Sequence, residues 1–386
     1  MHHKKNENDN FVSSKHVKIT TMKLQEVIDY LNATLMPYYQ EDYDNSGFLL
    51  GDPQREYTGS LVALDLTPDV IEEAIDKGLN FIVTHHPFLF GKGTRRITTR
   101  NETGRMIYRL IENGIAVYAA HTNLDNLRWG VSGILAEKLG VKNCRVLQPK
   151  RQLLCKLVTF CPEKQADKVR QALHDAGAGK IGNYSHCSYN MEGEGRFRPE
   201  EGSHPFVGKQ GEVHREPETR IEVIFEKRLE HKIVEQLLKH HPYEEPAYDI
   251  LTLENEYPEV GGGVVGELEA AMSTEDFLQM VKQVTGLPVV RCSHLCKPKV
   301  QRVALCGGSG SFLIGDAKSA GADIFLTGDL KYHDFQQAEE EIILCDIGHY
   351  ESEQFAKEII YRIISEKFCT FACQISDRKH GYVNYI

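Results

Sequence analysis

No apolar run of about 18 residues occurs anywhere in this chain, so nothing in it reads as a membrane span. The stretch from Met1 to about Thr21 lacks an apolar h-region and reads as a flexible polar tail, 1–21, rather than a secretory signal. Positive charge is not in excess: 45 Lys and Arg stand against 55 Asp and Glu, a net charge of −10. That balance argues against broad nucleic-acid binding, where a basic face is expected. The ten cysteines, at 144, 155, 161, 187, 292, 296, 306, 345, 369 and 373, include no Cys-x-x-Cys. A zinc knuckle or a thioredoxin-like motif is therefore excluded, and the thiols read as reduced and mostly buried in a cytoplasmic protein. There is no Walker lysine and no Gly-x-Ser-x-Gly elbow.

What is present is ordinary globular material, 41% hydrophobic and 26% charged over 386 residues, too long for one core. The stretch that organises it is Phe81-Ile82-Val83-Thr84-His85-His86-Pro87: a short apolar strand ending in two histidines and a proline. Continuous apolar runs of this length fit parallel strands buried on both faces, and open α/β sheets hold ligands at the carboxyl ends of such strands. Consecutive strand side chains face opposite ways, so His85 and His86 meet one centre only if the chain bends there.

Around it, Leu24 to Leu35 reads as a helix and Leu61 to Leu66 as a strand. Thr67-Pro68 starts a helix that ends at Gly78, and another runs from Gly104 to Glu112, ending near Gly114. Ile115 to Ala119 is a strand ending in His121-Thr122-Asn123-Leu124-Asp125. The pattern returns later: Ala74-x3-Gly78-x5-Thr84 and Ala317-x3-Gly321-x5-Thr327 share every spacing, and Gly114-x5-Ala120 repeats the interval from glycine to strand end. These matches argue for two related α/β lobes, 22–149 and 256–386, with strand ends facing a shared cleft. Between them, 150–255 reads strand–helix–strand–strand–helix–strand, a ferredoxin-like α+β insertion. Its middle strands are expected near Ser185 to Glu192 and Arg220 to Phe225, joined by a loop from Glu194 to Glu218. The doublet His240-His241 precedes a proline at a helix end there and reads as structural.

Four clusters share the strand-end position: His85-His86, His121-x3-Asp125, Thr327-Gly328-Asp329 with His333, and His349-x3-Glu353. Taken alone, His349 and Glu353 read as a surface pair. On a helix beginning near Tyr350, however, they lie about one turn apart on one face, with Glu351 pointing elsewhere. Three histidines and two carboxylates exceed what one tetrahedral zinc needs. Two ions about 3.5–4 Å apart fit better, because a glutamate can place one oxygen on each. Imidazole suits zinc, iron or nickel, and carboxylates add the harder character that manganese and iron accept. The turn Gly307-Gly308-Ser309-Gly310-Ser311 offers backbone N–H groups for a phosphate, or else lets the backbone approach the cleft closely.

The segments Asp44-Asn45-Ser46-Gly47, Thr84-His85-His86-Pro87, His121 to Asp125, Thr327-Gly328-Asp329 and Gly348-His349 with Glu353 resemble the dinuclear-metal-centre family. Its members are known as Nif-three-like proteins, or type-two homologues of GTP cyclohydrolase I. The resemblance runs from about Lys23 to the C-terminus and includes His241-Pro242-Tyr243-Glu244-Glu245-Pro246-Ala247-Tyr248, similar to the longer bacterial members. It implies metal ligands at His85, His86, Asp125, His349 and Glu353, with Glu353 touching both ions, and His121, Asp329 and His333 beside them as catalytic or substrate-facing groups. It also implies a PII/CutA-like insert, two divalent ions per chain (zinc first, iron or manganese otherwise), and a homo-oligomeric toroidal hexamer. Two function classes follow. One is a hydrolase acting on GTP, another nucleotide or a phosphorylated small molecule, with water as nucleophile and His121 or His333 moving protons. The other is a non-catalytic metal-handling or regulatory protein.

Overall fold

The computed structural model describes residues 22–91, 96–378 and 381–386, so the expected tail 1–21 lies outside the described residues. The first strands are β1 (Gly47–Leu50), β2 (Gly59–Ala63), β3 (Phe81–Thr84), β4 (Ala116–Ala119) and β5 (Lys142–Lys150). The middle segment contributes β6 (Leu154–Pro162), β7 (Tyr189–Phe197), β8 (His214–Glu226) and β9 (Tyr248–Leu253). The last part adds β10 (Tyr257–Ser273), β11 (Arg291–Cys292), β12 (Lys299–Ser309), β13 (Ile324–Gly328), β14 (Ile343–Asp346) and β15 (Ala372–Ile375). They form three sheets, ordered β1-β4-β3-β2-β15, β11-β14-β13-β12-β10-β5 and β7-β8-β6-β9.

The α/β reading holds, and its local causes are visible. In the first sheet β2, β3 and β4 run parallel, and in the second β12, β13 and β14 do. Each parallel strand is apolar on both faces. Phe81 and Val83 pack into the large core shared by both sheets, while Ile82 faces the helices Pro68–Asp76 and Glu102–Asn113 on the outside. The second sheet does the same, with Ile324 and Leu326 inward and Phe325 outward onto Leu313, Ile314 and Ala317. The helix Leu24–Leu35 lays Leu24, Val27, Ile28, Leu31 and Leu35 on one stripe and buries them in the shared core.

The repeat is a repeated helix ending. Gly78, Gly114 and Gly321 take φ of 67°, 62° and 68°, and the residue after each donates back to Ala74, Leu110 and Ala317. That closing bond turns the chain directly into β3, β4 and β13. The lobes nevertheless exchange strands: β5 pairs with β10 of the second sheet, and β15 returns to pair with β2 of the first.

The middle sheet has the order and antiparallel pairing of a ferredoxin-like unit, with the helices Glu163–Asp175 and Glu230–His240 packed against it. One expectation fails there. The segment from Glu194 to Glu218 is not all loop, because β7 and β8 extend into it as a ladder from Tyr189↔Glu222 to Phe197↔His214. Pro217 is accommodated because β8 has outrun β6 at that point: Pro162 opposite Glu218 is the last pair of that ladder. The glycine run Gly261-Gly262-Gly263 is not a turn. The run instead lies inside β10, where a Cβ at Gly261 would come within 2.0 Å of the Gln148 carbonyl oxygen on β5.

Lys150 and Tyr257, at the two ends of the middle segment, are direct partners in the β5–β10 ladder. Directly opposed residues have Cα atoms about 4.5–5.5 Å apart, a gap that a hairpin turn closes. The principal side-chain bonds across the junction are those from Tyr39 and Tyr257 to Glu226, each 3.0 Å. At about 1 kcal/mol apiece they are small beside a typical stability of about 5–15 kcal/mol. Replacing 151–256 with a short Gly-Ser turn is expected to leave a folded core with one cooperative thermal transition. An aggregated or molten product would show that the middle segment is needed to fold the other two sheets.

Candidate metal centre

Strand ends of both sheets meet at one buried carboxylate, that of Glu353, which is 2% exposed. After β3 the chain bends, and the N–H groups of His85 and His86 both reach the Leu64 carbonyl oxygen, at 3.1 and 3.0 Å. The two rings therefore turn to the same side, with centroids 4.9 Å apart. The short helix His349–Glu353 brings His349 one turn above Glu353, with Nε2 and Oε2 3.1 Å apart. On the same Oε2, His86 Nε2 closes to 2.9 Å and His85 Nε2 to 3.7 Å.

The opposite edge of each ring is anchored. His85 Nδ1 donates to the Ala120 carbonyl at 2.7 Å, His86 Nδ1 to Asp65 at 2.8 Å and His349 Nδ1 to Asp329 at 2.7 Å. Such bonds fix the tautomer and present Nε2 as a ligand atom. Asp125, at the end of the one-turn helix Thr122–Asp125, puts Oδ1 3.5 Å from His85 Nε2. Both atoms are buried and have no hydrogen-bond partner. A buried orphan nitrogen and a buried orphan carboxylate oxygen facing one another are costly unless a cation lies between them. His85, His86 and Glu353 bring their ligand atoms within 4.8 Å of one another and can hold a metal ion.

Charge in the cluster is already arranged for a cation. Burial pushes the Glu353 carboxyl up, but hydrogen bonds from His349 and His86, with the His85 ring close by, outweigh it and hold it well below the usual carboxylate range. Burial opposes charge on His86, yet Asp65 and Glu353 raise it to about 10. Glu353, against burial and with help from Asp329, raises His349 to about 9. Burial lowers His85 and, with the Glu353 charge nearby, raises Asp125 well above its ordinary value. His86 and His349 thus hold their protons against these carboxylates.

The family model Duf34/NIF3 (NGG1p interacting factor 3) matches residues 22–380. The chain belongs to the Duf34/NIF3 family. A Halalkalibacterium halodurans relative named GTP cyclohydrolase 1 type 2 homolog is 40% identical over 329 residues, covering 84% of this chain and 88% of its own. A Bacillus subtilis relative of the same name is 38% identical over 362 residues, covering 92% of this chain and 94% of its own. The solved structure of a Bacillus cereus protein related to NIF3 superposes with a TM-score of 0.79 at 35% identity, covering 95% of this chain and 99% of that one. A Staphylococcus aureus structure gives 0.76 at 29% identity, covering 95% and 99%.

Within this Duf34/NIF3 chain, the residues singled out from sequence fall into three groups. His85, His86, Asp125, His349 and Glu353 converge as just described. His121 stands beside them, its ring 5.5 Å from those of both His85 and His86, with Nδ1 held by Asp44 at 2.7 Å. Asp329 is close, but as the group that orients His349. His333 is apart: it is exposed on the helix Tyr332–Gln336, stacks edge-on against Tyr332, and makes no hydrogen bond or ion pair with the cluster.

The first two N–H groups of the glycine turn are not free for a phosphate. β12 runs through Ser309, and the N–H groups of Gly307 and Gly308 are taken by the hydroxyls of Ser132 and Ser352, at 3.2 and 2.9 Å. The glycines are there for close approach, since a Cβ on Gly308 would stand 2.1 Å from Glu353 Oε1. Sequence reasoning assigned no role to Asp65 or Asp44. Asp65 left a signal, a lone acid at the end of the apolar run Leu61-Val62-Ala63-Leu64, and Asp44 lay in a motif without a partner to explain it.

Two predictions test this geometry. Gly308→Ala should lower both melting temperature and metal content, because its φ of 64° and the Glu353 contact both penalise a Cβ. Gly78→Ala, at φ 67° with open space around it, should cost only the backbone strain, about 1–3 kcal/mol, and keep its metal. The second concerns pH. His86 and His349 carry protons at neutrality because their values are raised to about 10 and about 9, so a cation must displace those protons. Adding zinc to weakly buffered metal-free protein should release protons, and apparent affinity should rise with pH until both imidazoles are neutral. A pH-independent titration would disprove the competition.

Proposed function

We propose that this Duf34/NIF3 chain is a dinuclear metal-binding protein that works as a metal-dependent hydrolase. The supporting observation is the convergence of three anchored imidazoles on one oxygen of Glu353, beside the facing orphan atoms of His85 and Asp125. In this reading His85, His86, Asp125, His349 and Glu353 would hold two divalent ions, zinc first and iron or manganese as alternatives, with Glu353 the ligand that would serve both. When bound, the ions supply Lewis acidity toward an electrophilic centre and toward water. His121, fixed through Nδ1 by Asp44, is the group that moves a proton at its Nε2. Asp329 keeps His349 oriented, and His333, exposed outside the bonded cluster, is assigned to the substrate side. The names of the curated relatives make GTP the first candidate substrate, followed by other nucleotides and phosphorylated small molecules. A cytoplasmic toroidal hexamer is the assembly this reading adopts from the family resemblance. Among the described residues no helix is long and apolar enough to cross a membrane.

Metal titration of variants tests the reading. Glu353→Gln keeps size and hydrogen bonding but removes the charge that offsets both cations, so both sites should weaken together. Asp125→Asn should mainly empty one site and leave the other measurable. An exposed pair would be worth only about 0–1 kcal/mol and its loss would leave metal content unchanged. Two tightly bound ions in Glu353→Gln would end the bridge assignment. A nucleotide and phosphoester panel on metal-loaded protein then separates hydrolysis from metal handling without turnover.

A further inference from the structure

We propose that Cys292 and Cys345 are a redox pair that a peroxide converts to a reversible cross-strand disulfide. Cys292 on β11 is the direct antiparallel partner of Cys345 on β14, and their sulfurs lie 3.0 Å apart. Directly opposed antiparallel residues have Cα atoms about 4.5–5.5 Å apart, inside the range of about 4.4–6.8 Å that a disulfide spans. Among the described residues no other pair of cysteine sulfurs is within hydrogen-bonding reach.

The strands are held in this register independently of the thiols. Arg291 Nη1 pairs with Asp346 Oδ2 at 2.9 Å, and Ser293 bonds Leu344 through both its backbone N–H (2.9 Å) and its hydroxyl (3.0 Å). The sulfurs therefore stay together in the reduced state. The two thiols differ in a way that orders the chemistry. Cys345 is fully buried in the shared core, whereas Cys292 at the sheet edge is partly exposed. The hydrogen bond between them holds the Cys292 thiol below its usual value, and burial pushes that of Cys345 up.

Cys292 is thus the sulfur that meets the oxidant. Its thiolate attacks one peroxide oxygen, the O–O bond breaks, and a sulfenic acid and hydroxide form. Cys345 loses its proton and attacks the sulfenic sulfur, the S–O bond breaks, and water leaves as the S–S bond forms. Overall two thiols and one hydrogen peroxide give one disulfide and two waters. The bond would tie the edge strand covalently to β14, whose end delivers Asp346 and then His349. Asp346 is already the brace of that segment: its carboxylate accepts from the N–H groups of Leu330 and Gly348 and from Arg291.

The experiment treats the full-length, metal-loaded protein with hydrogen peroxide, removes the peroxide, blocks remaining thiols by alkylation in denaturant, and maps peptides without reductant. A cross-link joining residues 292 and 345, with loss of two titratable thiols that dithiothreitol restores, is the expected result. Cys296→Ser should leave the cross-link in place, and Cys345→Ser should strand Cys292 as a sulfenic acid that dimedone captures. The proposal is overturned if Cys292 and Cys345 of the native chain stay alkylatable after the exposed Cys369 has been oxidised. It is equally overturned if the cross-link joins Cys296 instead. Mapping the unsubstituted protein decides the matter even where a serine variant does not fold.

Discussion

One buried oxygen, Glu353 Oε2, sets the terms for the rest of the structure. A carboxylate removed from water costs several kcal/mol unless opposite charge and hydrogen bonds surround it. Here imidazoles from both sides of the cleft supply them: His86 follows β3 of the first sheet, and His349 follows β14 of the second. The interaction requires the two sheets to meet carboxyl end to carboxyl end. It also requires the backbone of β12 to pass so close that residue 308 has no room for a side chain. Sheet placement, glycine placement and charge placement follow from the same requirement.

Orientation is handled by a second ring of groups drawn from neighbouring strand ends. Ala120 follows β4, Asp65 follows β2 and Asp329 follows β13, and each holds the Nδ1 of one histidine. Because those elements are parallel strands in a close-packed core, their ends are fixed relative to one another, and so are the Nε2 atoms. Asp329 reaches His349 from a left-handed backbone, φ 58°, directly after Gly328. Asp tolerates that conformation better than bulkier residues do. β14 has two duties: its inward face puts Cys345 into the core opposite Cys292, and its end carries Asp346, which braces the start of the His349 helix.

Much of this was legible in local sequence, and the reasons are local. The apolar runs at Phe81-Ile82-Val83 and Ile324-Phe325-Leu326 alternate between two cores, so nearly every residue is apolar, as a doubly covered strand demands. Gly78, Gly114 and Gly321 mark the helix endings that launch those strands. His349 and Glu353 are one turn apart on a helix, so their contact needs no tertiary information. Reading failed where a residue type has two uses. Gly307-Gly308 looks like a turn but lets a strand pack closely, and the Gly- and Pro-bearing stretch from Glu194 to Glu218 looks like a loop but carries the ends of β7 and β8.

Local pattern was enough to set the α/β class, the repeated strand–helix unit and the histidines and carboxylates at strand ends. These depend on periodicity and on spacings of a few residues. Only the tertiary structure decided which of those groups touch. His86 and Glu353 are 267 residues apart, and their contact depends on how two sheets share one core. The same holds for Asp65 beneath His86, for Asp329 acting through His349, for His333 standing outside, and for Cys292 opposite Cys345. Local propensity sets what each strand end carries, but the packing of sheet on sheet sets what each end meets.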